Sequence, residues 1–67
     1  MYGMTQRNVL KEIRIARGIS QPKMAEELGC SVQAIKLHEA NATLPKNAAV
    51  LRNLKALGTL VNIEVAE

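Results

Sequence analysis

Gly18, Gly29, Asn41 and Gly58 interrupt the chain at intervals of a few helical turns, which confines any helix to a short one. Between the breaks the apolar residues recur at helical spacing. In residues 5–17, Val9, Leu10, Ile13 and Ala16 share a side, Thr5 is the expected N-cap, and Gly18 suits the left-handed C′ position. Residues 21–28 form a second unit. Ser20 caps it, Pro22 lies in the first turn where its missing N–H costs nothing, and Met24, Ala25 and Leu28 face inward. The third unit spans residues 32 to 39 or 40, with Ser31 as cap and Asn41 as a left-handed exit. Its apolar stripe is thin, with Ile35 as the anchor, so one face is left for a partner. After the loop at Leu44–Pro45 a fourth unit starts at Lys46 or Asn47. Val50, Leu51, Leu54 and Leu57 form its stripe and Gly58 ends it.

The period then changes. Val61, Ile63 and Val65 alternate with Leu60, Asn62 and Glu64, which is strand spacing in β-branched residues. A lone strand leaves its backbone N–H and C=O row unpaired. No second strand-like run exists in the sequence, so the expected partner is another copy of the chain, in a two-stranded ribbon across a homodimer. A frayed tail and a further helical turn are the alternatives. The expected fold class is therefore all-α: four short helices with a central helix–turn–helix, plus a C-terminal β-strand. Residues 1–58 are expected to form the helical domain and residues 59–67 the dimerisation tail, with Leu60, Val61, Ile63 and Val65 at the interface.

Composition adds limits. Sixty-seven residues allow one small domain. One Tyr and no Phe or Trp leave the core to aliphatic side chains. Ordering each residue costs about 1.5 kcal/mol, which a core of this size offsets narrowly, and a homodimer adds burial. The net charge is +3. Seven bases (Arg7, Lys11, Arg14, Arg17, Lys23, Lys36 and Lys46) stand against four glutamates in residues 1–46, whereas the tail from Thr59 holds two acids and no base. A polyanion contact is expected on the first two-thirds. Cys30 is the only cysteine, so no intrachain disulfide forms. Bases from Arg7 onward interrupt any apolar leader, and Arg52, Lys55 and Asn62 break the longest apolar run, so a cytoplasmic protein with no membrane partner is expected. With no Asp, one His and one Cys, no acid–base pair or triad assembles, so an enzyme is not expected. Cys30 and His38 have no further ligand pair for a metal, and no cofactor is implied.

Residues 20–39 fit a helix–turn–helix: a short helix, Gly29 at the tight turn, Ser31 as the next cap, and Ile35 as the anchor expected to meet the small Ala25. The same run resembles the lambda-repressor-like (Xre/Cro-type) helix–turn–helix family. It matches the family pattern at Arg14, Gly18, Ile19, Ser20, Gln21, Met24, Ala25, Leu28, Gly29, Ser31, Ile35 and Glu39. The resemblance covers residues 6–58. Pro22, Cys30 at a usually aliphatic position, His38 where an aromatic or Leu is usual, and Asn41 where Gly is common depart from it. The strand-like tail is similar instead to small antitoxin-type members of the family.

The resemblance implies a homodimer that inserts its third helix in the major groove of a palindromic operator in double-stranded DNA, as a transcriptional regulator and most simply a repressor. Gln33 is then the best base reader, because a carboxamide bonds adenine N6 and N7 together; a solvated surface Gln is the bland reading. Val32 either touches a thymine methyl or edges the core. Lys36 reaches guanine or a phosphate. Leu37 contacts a thymine methyl or covers the loop at Leu44. Gln21, Lys23, Asn41, Thr43, Lys46 and Asn47 are the candidate phosphate contacts, with Gln21 also bracing Gln33. Arg14 and Glu39 pair beneath the recognition helix. Cys30 is a small hydrophobe at the turn, and His38 packs against the loop. The alternative function is an antitoxin-type protein that neutralises a partner toxin and autoregulates its promoter.

Overall fold

The computed structural model describes residues 7–66. The described residues form four helices, α1 (Val9–Arg17), α2 (Gln21–Leu28), α3 (Val32–Asn41) and α4 (Ala48–Leu60). Helices α1 and α2 each pack against both α3 and α4. Leu10, Ile13, Met24, Leu28, Ile35 and Leu54 are fully buried, and Ala25, Val50 and Val65 complete the core. Ala25 is only 3% exposed in α2 and Ile35 is buried in α3, and the two helices pack together, in keeping with the small residue expected where they meet.

Local chemistry sets the helix ends. Ser20, Ser31 and Asn47 each accept a backbone N–H with the side-chain oxygen and start α2, α3 and α4. The start of α1 differs from expectation. Thr5 lies outside the described residues, and Asn8 caps the helix, accepting from the Lys11 N–H. Gly29 has φ 80°, and the Cys30 N–H closes the turn onto the Ala25 carbonyl at 3.0 Å. The exit from α3 also differs. Asn41 is helical, and Ala42 takes the left-handed conformation at φ 52°.

The C-terminal region corrects a larger expectation. Gly58 does not end α4, which continues to Leu60. The helix stops because Asn62 adopts φ 60° and the Ile63 N–H turns back to the Gly58 carbonyl at 2.8 Å, a Schellman closure. Among the described residues no strand is present. The segment folds back on its own molecule instead: Val65 is 9% exposed in the core, and Val61 and Ile63 are half-buried against it. Of the four residues expected at an intersubunit ribbon, only Leu60, at 69%, remains exposed. Burial of these three apolar side chains within one chain needs no partner.

Candidate nucleic-acid interface

Helix α3 has two sharply different sides. Ile35 is buried, and Val32, Ala34, His38 and Glu39 are half-buried. Gln33, Lys36, Leu37, Ala40 and Asn41 are exposed, and the i, i+3, i+4, i+7, i+8 spacing puts them in one stripe. This stripe carries a carboxamide, an ammonium, a large aliphatic group and a second amide. Lys36 is its only charge. Leu37 is 63% exposed, so the loop at Leu44 does not bury it. Val32 packs on the core edge and stands beside the stripe rather than in it.

The inner side of α3 is held by a polar cluster around Glu39. Arg14 Nε donates to Glu39 Oε2 at 2.6 Å and Arg14 Nη2 to Oε1 at 3.1 Å. Gln21 Nε2 donates to the same Oε1 at 3.2 Å. Arg14 Nη1 also donates to the Ile19 carbonyl, and Asn8 Nδ2 to the Glu39 carbonyl. One carboxylate thus gathers α1, the start of α2 and the last turns of α3. The side chains of Arg14 and Glu39 are 18% and 6% exposed, so the pair is largely out of water, where a two-point guanidinium–carboxylate contact fixes orientation. Burial pushes the Glu39 carboxyl up. Hydrogen bonds from Arg14 and Gln21 and the positive charges of Arg14 and Lys11 together outweigh burial and hold it below its ordinary value. Gln21 is engaged with Glu39 rather than bracing Gln33.

The other expected phosphate contacts sit in varied settings. Lys23 is exposed and pairs with Glu26 at 2.9 Å, which raises its pKa through that hydrogen bond and then through the Glu26 charge. Asn41 Nδ2 donates to the Leu37 carbonyl at 2.9 Å. Thr43 Oγ1 lies 2.9 Å from His38 Nδ1, which ties the histidine to the loop. The Asn47 side-chain oxygen accepts the N–H groups of Ala49 and Val50 and is committed to the cap. Lys46 is exposed. Cys30 is half-buried and burial pushes its thiol pKa up, so it stays protonated at neutral pH.

Charge pairing leaves an uneven surface. Glu12, Glu26, Glu27 and Glu39 are each taken by a base, Arg7, Lys23, Arg17 and Arg14 respectively. Among the described residues Lys11, Lys36, Lys46 and Arg52 enter no ion pair. The positive excess therefore sits on the α3 stripe, on α1 and at the start of α4. Lys46, an expected phosphate contact, lines a groove together with Arg52 and Lys55, which sequence reasoning missed; only the i, i+3 spacing of Arg52 and Lys55 on α4 could have signalled it.

Among the described residues no three metal-binding side chains come together, and no helix is long and apolar enough to cross a membrane. Comparison of the chain with family models, curated proteins and solved structures gives no match.

Proposed function

We propose that this chain is a sequence-specific DNA-binding regulator of the helix–turn–helix type, a repressor in its simplest form, which lays α3 in the major groove. The carrying observation is the exposed stripe of Gln33, Lys36, Leu37, Ala40 and Asn41 on a helix whose opposite side is fixed by Ile35 and Glu39. A helix that spends its inner side on packing and presents an amide, a cation and an apolar group outward matches what a groove offers: acceptor and donor edges, phosphates and thymine methyls. Free acidic side chains are absent from the stripe.

In this reading Gln33 reads an adenine, Lys36 a guanine or phosphate, and Leu37 a thymine methyl, with Val32 at the margin. Gln21, Lys23, Asn41, Thr43, Lys46 and Asn47 stand near the sugar–phosphate strands. Two copies would meet half-sites about 34 Å apart on a palindrome.

The test is selection of duplex DNA from a random pool at defined salt, followed by binding of two variants. Gln33→Ala is expected to weaken the selected site and relax preference at one base pair by about 1–3 kcal/mol. Lys36→Ala is expected to weaken binding as well. A pool that yields no preferred sequence, or a Gln33→Ala protein with unaltered discrimination, would overturn the assignment.

The antitoxin-type alternative keeps one observation in its favour, the exposed Leu60. The strand edge that also motivated it is not present among the described residues. Purification from the native host with a companion protein attached would favour this reading.

A further inference from the structure

The positive charge of this molecule is not confined to α3. Lys46, Arg52 and Lys55 line an open groove of about 420 Å³ on the outer side of α4, with Ala48 and Leu51 as its remaining walls. No acidic side chain lines it. All three cations are exposed. Lys46 and Arg52 enter no ion pair among the described residues, whereas Lys55 also borders a neighbouring groove that Glu64 lines.

We propose that this groove is a second site for duplex DNA, one that takes backbone phosphates and reads no bases. The inference rests on the duplex-binding reading above, though not on base recognition by α3. Three features point to a phosphodiester backbone. First, the groove is open and is lined by three cationic side chains, which fits an extended polyanion better than a single enclosed anion. Arg52 and Lys55 are three residues apart, about 4.5 Å along the helix axis. Neighbouring phosphates of one strand advance about 3.4 Å along a duplex, within reach of two long side chains. Second, Arg52 offers a planar fork of donors that matches two phosphate oxygens at once. Third, Lys46 and Asn47 lie where the loop from α3 enters α4, so the groove continues in the chain from the exit of the proposed reading helix. The small Ala48 and aliphatic Leu51 leave the approach to the cations unobstructed and add no competing donor or acceptor.

The experiment measures duplex affinity against salt for the full chain, on the selected site and on a random duplex. Each phosphate neutralised contributes about 0.9 to the slope of log affinity against log salt. Arg52→Gln is expected to lower the slope by about 0.9 on both duplexes with base preference unchanged, and Arg52→Lys to restore it. Helical circular dichroism checks that the exposed variants stay folded. A slope unaltered in Arg52→Gln, while the wild type binds duplex, overturns the groove and leaves the α3 reading standing. Arg52-dependent binding of polyglutamate with Arg52-independent binding of duplex overturns it in favour of an acidic polypeptide. A wild-type chain that binds neither duplex at low salt overturns both readings together.

Discussion

Glu39 shows how much one side chain decides here. It is 6% exposed, it accepts from Arg14 at two oxygens and from Gln21 at one, and its own backbone carbonyl accepts from Asn8. Charged, this carboxylate ties the last turns of α3 to α1 and to the start of α2. Its pKa is held below the ordinary value in the folded chain, so the folded state binds its proton less readily than the unfolded state. The stability it contributes is then complete above the ordinary carboxylate range and is lost as pH falls through the depressed folded value. Glu39→Gln keeps the shape and removes the charge. We expect it to lower the unfolding free energy by about 1–3 kcal/mol at neutral pH, and the difference from wild type to shrink in acid, where the wild-type carboxyl is also neutral. Urea denaturation at both pH values checks this. A difference that stays constant with pH would place the effect outside the ion pair.

At the scale of helices, the determinants that act over a few residues were legible in the sequence and those that act across a turn of chain reversal were not. Ser20, Ser31 and Gly29 have their roles because each bonds backbone within a few positions. The exits expected at Asn41 and Gly58 lie elsewhere for one shared reason: geometry overrides the usual residue preference at Ala42 and at Gly58. At Ala42 a non-glycine residue holds φ 52°, although a β-carbon disfavours that region. At Gly58 a residue that normally weakens a helix persists inside one, because a β-carbon there would overlap the Ile63 carbonyl oxygen and lie 3.2 Å from Ile13 Cδ1 and 3.3 Å from Val65 Cγ2. The two positions yield opposite expectations against intrinsic helix preference. Ala42→Gly is expected to raise stability by about 0.5–1 kcal/mol by relieving the left-handed strain. Gly58→Ala is expected to lower it by about 1–3 kcal/mol, since the oxygen it meets is backbone and cannot swing aside. Thermal or urea unfolding of the two variants decides both, and a Gly58→Ala protein more stable than wild type would mean that the chain reversal at residues 61–65 is not held against α4. The proposed reading stripe on α3 was legible at Gln33, Lys36 and Leu37 because helical spacing around the expected anchor, Ile35, fixes which side faces out, whereas Asn41 joins it only because α3 runs further than expected. The α4 groove was not, because Lys46 and Arg52 acquire meaning only when Glu12, Glu26, Glu27 and Glu39 are seen to pair with other bases.

For the whole molecule the alternation in residues 60–65 gave the facing of the side chains, but the strand it implied is not present among the described residues. Val61, Ile63 and Val65 do turn inward while Leu60, Asn62 and Glu64 turn out, but what they meet is the core of the same chain. A period of two in the sequence does not say whose apolar surface is met, and here the alternation arises across a helix end, with Leu60 helical and Asn62 left-handed. In a domain with one aromatic residue, capping the open end of the core with an aliphatic tail adds burial that no aromatic side chain supplies. Val65 is buried beside Gly58 of α4, where Ile13 of α1 also approaches. This fixes how its loss should behave. A residue packed within one chain contributes a stability that is independent of protein concentration, whereas one in an intersubunit ribbon contributes through mass action. Val65→Ala removes two methyl-sized groups from the core and is expected to cost about 1–2.5 kcal/mol, the same at low and high protein concentration. Chemical unfolding across a wide concentration range measures it. An increment that grows as the protein is concentrated would return Val65 to a subunit interface and reopen the tail as the element that joins two copies. A constant increment leaves association of copies to other exposed groups, Leu60 first among the apolar ones near this end of the molecule.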